Sequence, residues 1–203
     1  MGREFQFDLT GGHPALDLAN TVSRRDDPER RAEHLNNYCD LIALAAQSKM
    51  ISSSLARQIR NYAEEHPGEA ARSFRRTREL REAIYRAYAA IAKGKPAADD
   101  DVRAIERAAN QALRHRRLAR KNGSYRWEWQ AKSNDLDRLL WPIALAAAEL
   151  LASDELKLVR WCEAPDCEWL FLDNSRNRSR RWCDMKSCGN RAKARRHYQR
   201  ART

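Results

Sequence analysis

The sequence lacks the features of a membrane or secreted protein. Within its 203 residues, no apolar run approaches the ~20 residues that a membrane span needs. The N-terminal stretch MGREFQFDLTGG lacks the basic and then apolar pattern of a signal peptide. Gln6 stands where a myristoylation motif has Ser or Thr. We therefore expect a cytoplasmic protein that has no membrane contact and whose cysteines are reduced.

Glycine, proline and the common catalytic motifs are also scarce or absent. Seven Gly and six Pro leave little room for long loops or many-stranded sheets. No phosphate-binding glycine loop, nucleophile elbow or HExxH helix occurs, and no acid, base and nucleophile converge. We therefore predict that the protein is not an enzyme.

What the sequence does contain is helical periodicity over its first 155 residues. It predicts helices at 32–49, 52–66, 69–93, 98–117 and 136–152, and a short strand at Phe5–Leu9. Asn122-Gly123 predicts a β-hairpin whose outgoing strand places Tyr125, Trp127 and Trp129 on one side. The predicted fold class is mainly α with a few short β-strands (α+β).

Charge and cysteine content both change near residues 153–159. Residues 160–203 hold twelve Lys/Arg and five Asp/Glu, whereas the first 159 hold 27 and 23. Cys39 is the one cysteine before residue 162, and four more follow within 27 positions. We therefore predict a helical domain at 1–155 and a small basic module at 160–203.

The four clustered cysteines follow the pattern C-x4-C-x15-C-x4-C. They are Cys162, Cys167, Cys183 and Cys188. Two close pairs that meet at one point suit tetrahedral Zn²⁺, and four Cys ligands make a closed, structural site. Disulfides, an iron–sulfur cluster and four coincidentally buried cysteines remain as alternatives, because spacing alone does not identify the metal. We predict one structural zinc ion.

Between the cysteine pairs, the sequence predicts a hairpin. EWLFLD is one strand, with Trp169 and Phe171 on one face and Leu170 and Leu172 on the other. NSRN is the turn, and RSRRWC returns as the second strand. A helix then begins near Cys188. The order is a turn with two cysteines, a hairpin, a second turn with two cysteines and a helix, which is a treble-clef-like arrangement. A module of this size seldom folds without a metal.

The terminal helix is strongly basic. Between residues 176 and 202 there are eleven Lys/Arg and one acid, Asp184. Ala194, Tyr198 and Ala201 fall on one side, which we expect to pack on the zinc hairpin. Arginine outnumbers lysine, which favours forked contacts to phosphates or guanine edges. The predicted nucleic-acid contacts are Arg176, Arg178, Arg180, Arg181, Arg191, Lys193, Arg195, Arg196 and Arg200.

The nature of the partner stays open at this level. The charge pattern favours a zinc-stabilised module that binds a polyanion such as nucleic acid. The alternatives are an RNA-binding module, with Trp169 and Trp182 as stacking surfaces, and a module that binds an acidic protein. A solvated basic face without a partner is a further alternative. A homodimer is also kept among the expected states.

The segment from Cys162 to Lys193, which contains Cys-Gly-Asn-Arg at 188–191, resembles the CGNR zinc finger. In that family the finger follows an ABATE domain, and GHPALDLANTV at 12–22 resembles the start of that domain. Family members are described as stress-induced transcription regulators. The resemblance implies zinc ligation by the four cysteines, a treble-clef-like module, DNA binding and a role in the stress response. With it, the favoured hypothesis becomes a zinc-dependent DNA-binding transcription regulator of bacterial type that is cytoplasmic and nucleoid-associated.

Polar residues interrupt the apolar N-terminal segment. They are His13, Asp17, Asn20 and Thr21. One interpretation is a pocket for an unidentified small-molecule effector. The other is that these residues cap and hydrogen-bond a buried junction.

Overall fold

The computed structural model describes residues 5–132 and 134–200, and for Arg196, His197 and Arg200 it describes the backbone alone. Its helices are α1 (Pro14–Ala19), α2 (Tyr38–Gln47), α3 (Ser53–Glu65), α4 (Pro67–Ala92), α5 (Asp99–Leu113), α6 (Trp141–Leu151) and α7 (Asn190–Arg200). Its strands are β1 (Val22–Ser23), β2 (Ala32–Glu33), β3 (Arg116–Lys121), β4 (Ser124–Trp129), β5 (Val159–Trp161) and β6 (Leu170–Leu172). The predicted fold class, mainly α with a few short strands, is confirmed.

Helix α1 lies at the centre of the fold. Pro14 supplies the fixed backbone angle of a first helical turn, and the His13 side chain accepts a hydrogen bond from the backbone N–H of Ala15. Leu16 and Leu18 are completely buried. The helix contacts α4, α6 and β6, so the N-terminal domain and the cysteine-bearing segment share one apolar core.

Two predicted elements of the N-terminal region are wrong. The helix predicted from residue 32 begins at Tyr38, because Asn37 and Asp40 form a reciprocal capping box there and residues 32–33 pair as β2 with β1. Phe5–Leu9 is not a strand. The Gln47 side chain accepts from the backbone N–H of Phe7 and donates to the Phe5 carbonyl, which satisfies groups that a neighbouring strand would otherwise occupy.

The predicted β3–β4 hairpin is confirmed. Asn122 and Gly123 both have positive φ, at 50° and 79°, as a two-residue hairpin turn of the primed type requires. His115 stacks on Trp141 of α6 with ring centroids 3.8 Å apart, and Trp129 lies 6.0 Å from the same ring. The base of the hairpin is thereby anchored to the helical core.

The strand that carries the zinc-module aromatic residues pairs differently from the prediction. β6 pairs antiparallel with β5, and Arg180–Cys183 do not form a strand. The buried Asp173 carboxylate accepts from the backbone N–H groups of Ser175 and Arg180, so the chain turns away after β6. The expected alternation within β6 is confirmed: Phe171 faces the cysteines, and Leu170 and Leu172 join the main core.

Because β5 and β6 contribute to the main core, the cysteine-bearing segment is packed directly on the helical region. The division into domains at 1–155 and 160–203 stays a prediction. Across the described part of the chain, every helix is too short or too polar to serve as a membrane span.

Candidate zinc centre and nucleic-acid interface

The four predicted ligands lie together. The sulfur atoms of Cys162, Cys167, Cys183 and Cys188 are all within 4.8 Å of one another. The Sγ atoms of Cys167 and Cys183 are 3.5 Å apart, and those of Cys183 and Cys188 are 3.6 Å apart. Zn–S bonds of about 2.3 Å in a tetrahedron would separate the sulfurs by about 3.8 Å. The geometry and the all-thiol donor set fit one zinc ion.

Tight backbone turns present each pair of sulfurs. In the first, the backbone N–H of Cys167 donates to the Ala164 carbonyl, and Glu168 then takes a positive φ of 61°. In the second, the Asp184 side chain accepts from the backbone N–H of Ser187, and the Asp184 carbonyl accepts from that of Gly189. A π-helical turn at Met185–Gly189 carries Cys188 directly into α7. The helix that was predicted to begin near Cys188 is confirmed.

Hydrogen bonds within the cluster lower the pKa of two of the four thiols, Cys162 and Cys188, and raise the pKa of the other two, Cys167 and Cys183. The backbone N–H of Cys183 lies 3.4 Å from the Cys162 sulfur, and Nη2 of Arg191 lies 3.1 Å from the Cys188 sulfur. Hydrogen bonds from Cys167 and Cys183 lower the pKa of Cys162 to about 7. Hydrogen bonds from Cys162, Cys167 and Cys183 lower the pKa of Cys188, and the charge of Arg191 adds to this effect. Zinc ligation requires such deprotonated sulfurs.

The four cysteines are buried, and Cys167, Cys183 and Cys188 also border a cavity of about 340 Å³. All four cysteines are at most 5% exposed, and Phe171, Ala164, Trp169 and Trp182 pack around them. With four protein ligands, no coordination position is left for a reacting water. The chemistry that the arrangement supports is therefore structural: a metal that joins the two turns and fixes the start of α7.

Hydrogen bonds connect the cluster to the N-terminal region. The buried Asn20 side chain donates to the Leu170 carbonyl at 2.8 Å and accepts from the Leu170 N–H at 2.9 Å. The Trp169 indole donates to the Val22 carbonyl, and the backbone N–H of Leu172 donates to the Gly11 carbonyl. The position of the zinc module relative to α1 is thus specified by directional contacts as well as by apolar burial.

The predicted nucleic-acid contacts divide by environment. Arg176, Arg178, Lys193 and Arg195 are exposed, and no ion pair involving them occurs among the described residues. Arg181 is exposed but pairs with Glu163, with Nε and Oε2 2.6 Å apart, and Arg191 lies 3.6 Å from the Asp166 carboxylate. The side chains of Arg196 and Arg200 lie outside the described residues.

Arg180 is engaged within the protein. Its guanidinium donates to the Trp182 carbonyl at 2.9 Å and to the Cys183 carbonyl, and it lies 4.5 Å from the Phe171 ring centroid. These contacts hold the arginine-rich loop against the second cysteine pair. Of the predicted basic residues, Arg180 therefore has the clearest structural role.

The expected packing of α7 on the zinc hairpin is wrong. Ala194 is exposed and Tyr198 is 73% exposed. A groove of about 490 Å³ separates this side of α7 from the Ala164–Asp166 turn. At the N-terminal end of the basic helix, the Asn190 side chain donates to the Lys186 carbonyl. Ala201, the third residue of the side that was predicted to pack, lies outside the described residues.

Three of the four predicted pocket residues border one cavity of about 160 Å³: Asp17, Asn20 and Thr21. His13 is not among the residues that line it. Asp17 accepts from the Gly11 N–H at 2.9 Å, and burial raises the pKa of Asp17 to about 7. Thr21 donates to the Leu18 carbonyl and accepts from the buried Arg81. The role of Asn20 in holding β6 was not predicted, since no local sequence signal relates positions 150 residues apart.

Two family models match the chain. Residues 12–154 match ABATE, described as "Putative stress-induced transcription regulator", and residues 159–201 match the CGNR zinc finger. Neither description is that of an enzyme family. No curated protein matches the chain significantly.

Proposed function

The chain belongs to the ABATE family and carries a CGNR zinc finger, and from this premise we propose that it is a transcription regulator that binds duplex DNA through the finger. The observation that carries the proposal is the junction between the cysteine cluster and α7. Cys188 is at once a candidate zinc ligand and the last residue but one before the basic helix. A metal at this point fixes the direction in which α7 leaves the protein.

The exposed cations surround that junction. Arg176 and Arg178 lie in the loop before the second cysteine pair, and Lys193 and Arg195 lie on the first turns of α7. These four side chains have no carboxylate partner among the described residues, so they are available to phosphates without first breaking an ion pair. Arg181 and Arg191 can join them after exchanging the Glu163 and Asp166 carboxylates for phosphates.

Duplex DNA is favoured over RNA with unpaired bases as the partner of the finger. Stacking on unpaired bases requires exposed aromatic faces. Trp169 is half-buried and its indole N–H is bonded to Val22. Trp182 is half-buried beside the cysteine cluster. The exposed surface of the finger is therefore mainly cationic, with Tyr198 as an exposed aromatic side chain on α7, and this charge suits a phosphate backbone.

Regulation by a small effector belongs to the same proposal. The cavity bordered by Asp17, Asn20 and Thr21 adjoins Trp169, so a ligand there would touch residues that hold β6. A thermal-shift screen of the full chain against metabolites tests this part, and a melting temperature that no metabolite changes would remove it. The proposal also includes a homodimeric state and a cytoplasmic, nucleoid-associated location. Light scattering tests the oligomeric state, and cell fractionation tests the location.

The test of DNA binding is fluorescence anisotropy with a short labelled duplex between about 50 and about 200 mM salt. With about six phosphate contacts, the logarithm of the association constant should fall with a slope of about −5 against the logarithm of the salt concentration. Replacing Lys193 and Arg195 by Ala should reduce the magnitude of this slope by about 2. Arg57→Ala, a change at an exposed arginine on α3, is the matched control and should leave the slope unaltered.

Three results would contradict the proposal. One is affinity that does not change with salt. Another is structured RNA outcompeting the duplex at equal concentration. The third is no nucleic-acid binding at low salt, which would instead favour an acidic protein partner.

A further inference from the structure

The β3–β4 hairpin carries a second concentration of positive charge. Residues 114–132 contain seven Lys/Arg and one acid, Glu128. The rest of the first 159 residues contains 20 Lys/Arg and 22 Asp/Glu, so the hairpin segment accounts for the whole positive excess of the N-terminal region.

One face of this hairpin exposes aromatic and aliphatic side chains. The register pairs Leu118 with Trp127 and Arg120 with Tyr125, so these four side chains share a face. Tyr125 is 70% exposed, and Trp127 and Leu118 are each 57% exposed. Two residues apart on one strand, the Tyr125 and Trp127 rings emerge side by side at a spacing of about 7 Å.

The hairpin combines a fixed base with an exposed tip. Trp129 and His115 pack on Trp141, whereas both faces are exposed from Arg120 to Trp127. Within the described part of the chain, Arg117, Arg120, Lys121 and Arg126 form no ion pair. An exposed apolar surface of this kind marks an interaction site. The positive charge around it indicates an anionic binding partner.

A second copy of this chain does not suit the surface. Symmetric pairing of two hairpins would bring together two segments that are each rich in Lys/Arg and poor in acid, and their like charges would repel. A polyanion with flat apolar groups complements both features. In a duplex the base faces are hidden in the stack, whereas unpaired nucleotides offer them.

We infer that the β3–β4 hairpin is a second nucleic-acid-binding site that takes single-stranded DNA, with bases stacked on Tyr125 and Trp127 and phosphates beside Arg117, Arg120, Lys121 and Arg126. Arg116, whose guanidinium lies 5.2 Å from the Trp127 ring centroid, holds that ring against the hairpin. This site is separate from the zinc finger and does not depend on the finger binding DNA.

The experiment uses the full chain with Lys193 and Arg195 changed to Ala, so that the finger contributes less. Binding of a labelled thymidine oligonucleotide of about 12 nucleotides is measured by anisotropy, beside a duplex of equal length. Changing Tyr125 and Trp127 together to Ala should weaken single-strand binding about thirtyfold or more and duplex binding much less. Changing both to Phe should retain binding within about threefold, because the stacking faces remain.

Two controls keep the test interpretable. Val102→Ala, at an exposed position on α5, removes apolar surface outside the hairpin and should leave binding unaltered. Circular dichroism should show that the Ala pair remains folded, since both side chains are mostly solvated.

Three outcomes would overturn the inference. The first is no binding of the oligonucleotide by the chain. The second is an Ala pair that binds the single strand as tightly as the parent does, or that loses duplex and single-strand binding equally. The third is an Ala pair that turns a dimer into a monomer without changing DNA affinity, which would assign the surface to a second copy.

Discussion

Replacing Asn20 by Leu tests whether the zinc module is held in place by the helical core. Asn20 is 3% exposed, and its side-chain amide makes both a donor and an acceptor bond to the backbone of Leu170, which is completely buried. Leu has the same branching at Cγ as Asn but no polar atoms, and its two methyl groups are bulkier than the amide oxygen and nitrogen that they replace. The change therefore removes both hydrogen bonds while filling the space.

The expected cost follows from the two backbone groups left behind. A buried N–H or C=O without a partner costs about 1–3 kcal/mol. The N–H and the C=O of Leu170 both lose their partner, so the free energy of unfolding should fall by about 2–5 kcal/mol. Because Phe171, the next residue of β6, packs against the cysteine cluster, the variant should also release zinc faster.

Urea denaturation of the zinc-loaded protein measures the first effect, and transfer of zinc to a chromophoric chelator measures the second. Asn61→Ala, at an exposed position on α3, is the control and should change stability by less than about 0.5 kcal/mol. If Asn20→Leu lost less than about 1 kcal/mol and kept its zinc as long as the parent, the cysteine-bearing segment would not depend on this contact.

Two further predictions concern single side chains. Arg191→Ala removes the donor to the Cys188 sulfur and should lower zinc affinity about 10–100-fold in a chelator competition, whereas Arg195→Ala should not; equal effects would refute the role of Arg191. Burial raises the pKa of Asp17 to about 7. The folded protein therefore keeps a proton on Asp17 that the unfolded chain loses near pH 4, so stability due to this group falls as pH rises from about 4 to about 7. Urea denaturation at about pH 4 and at about pH 7 should show that Asp17→Asn loses less stability over this range than the parent. Equal losses in the two proteins would contradict a raised pKa of Asp17.

In the zinc module, the sequence predicted which side chains face the cysteines better than it predicted which strands pair. Alternation within residues 169–172 predicted correctly which side chains face the cysteines and which face away. The partner strand was missed because Val159–Trp161 is only three residues long, too short for its alternation to indicate a strand. Pairing between β5 and β6 is decided by the surrounding core, which a local pattern does not contain.

Two other misses had signals that were available. Asn37 and Asp40 form a capping box that marks the start of α2, but the apolar spacing of the preceding residues extended the predicted helix to residue 32. The basic hairpin was hidden by averaging, because its charge was counted over all of the first 159 residues, where an acidic excess elsewhere cancels part of it. By contrast, the ligand set was predictable, since cysteine spacing is a local property and the turns that close each pair are short.

The most direct test of the central claim, that zinc at the four cysteines holds a basic helix in position to bind DNA, is a duplex titration with metal content measured in parallel. Samples are the zinc-loaded chain, the same chain after chelation and zinc return, and Cys183→Ser. We predict one zinc per parent chain, loss of binding on chelation, recovery when zinc is restored, and neither zinc nor binding for Cys183→Ser. A metal-free chain that binds the duplex with unaltered affinity and salt dependence would contradict the account.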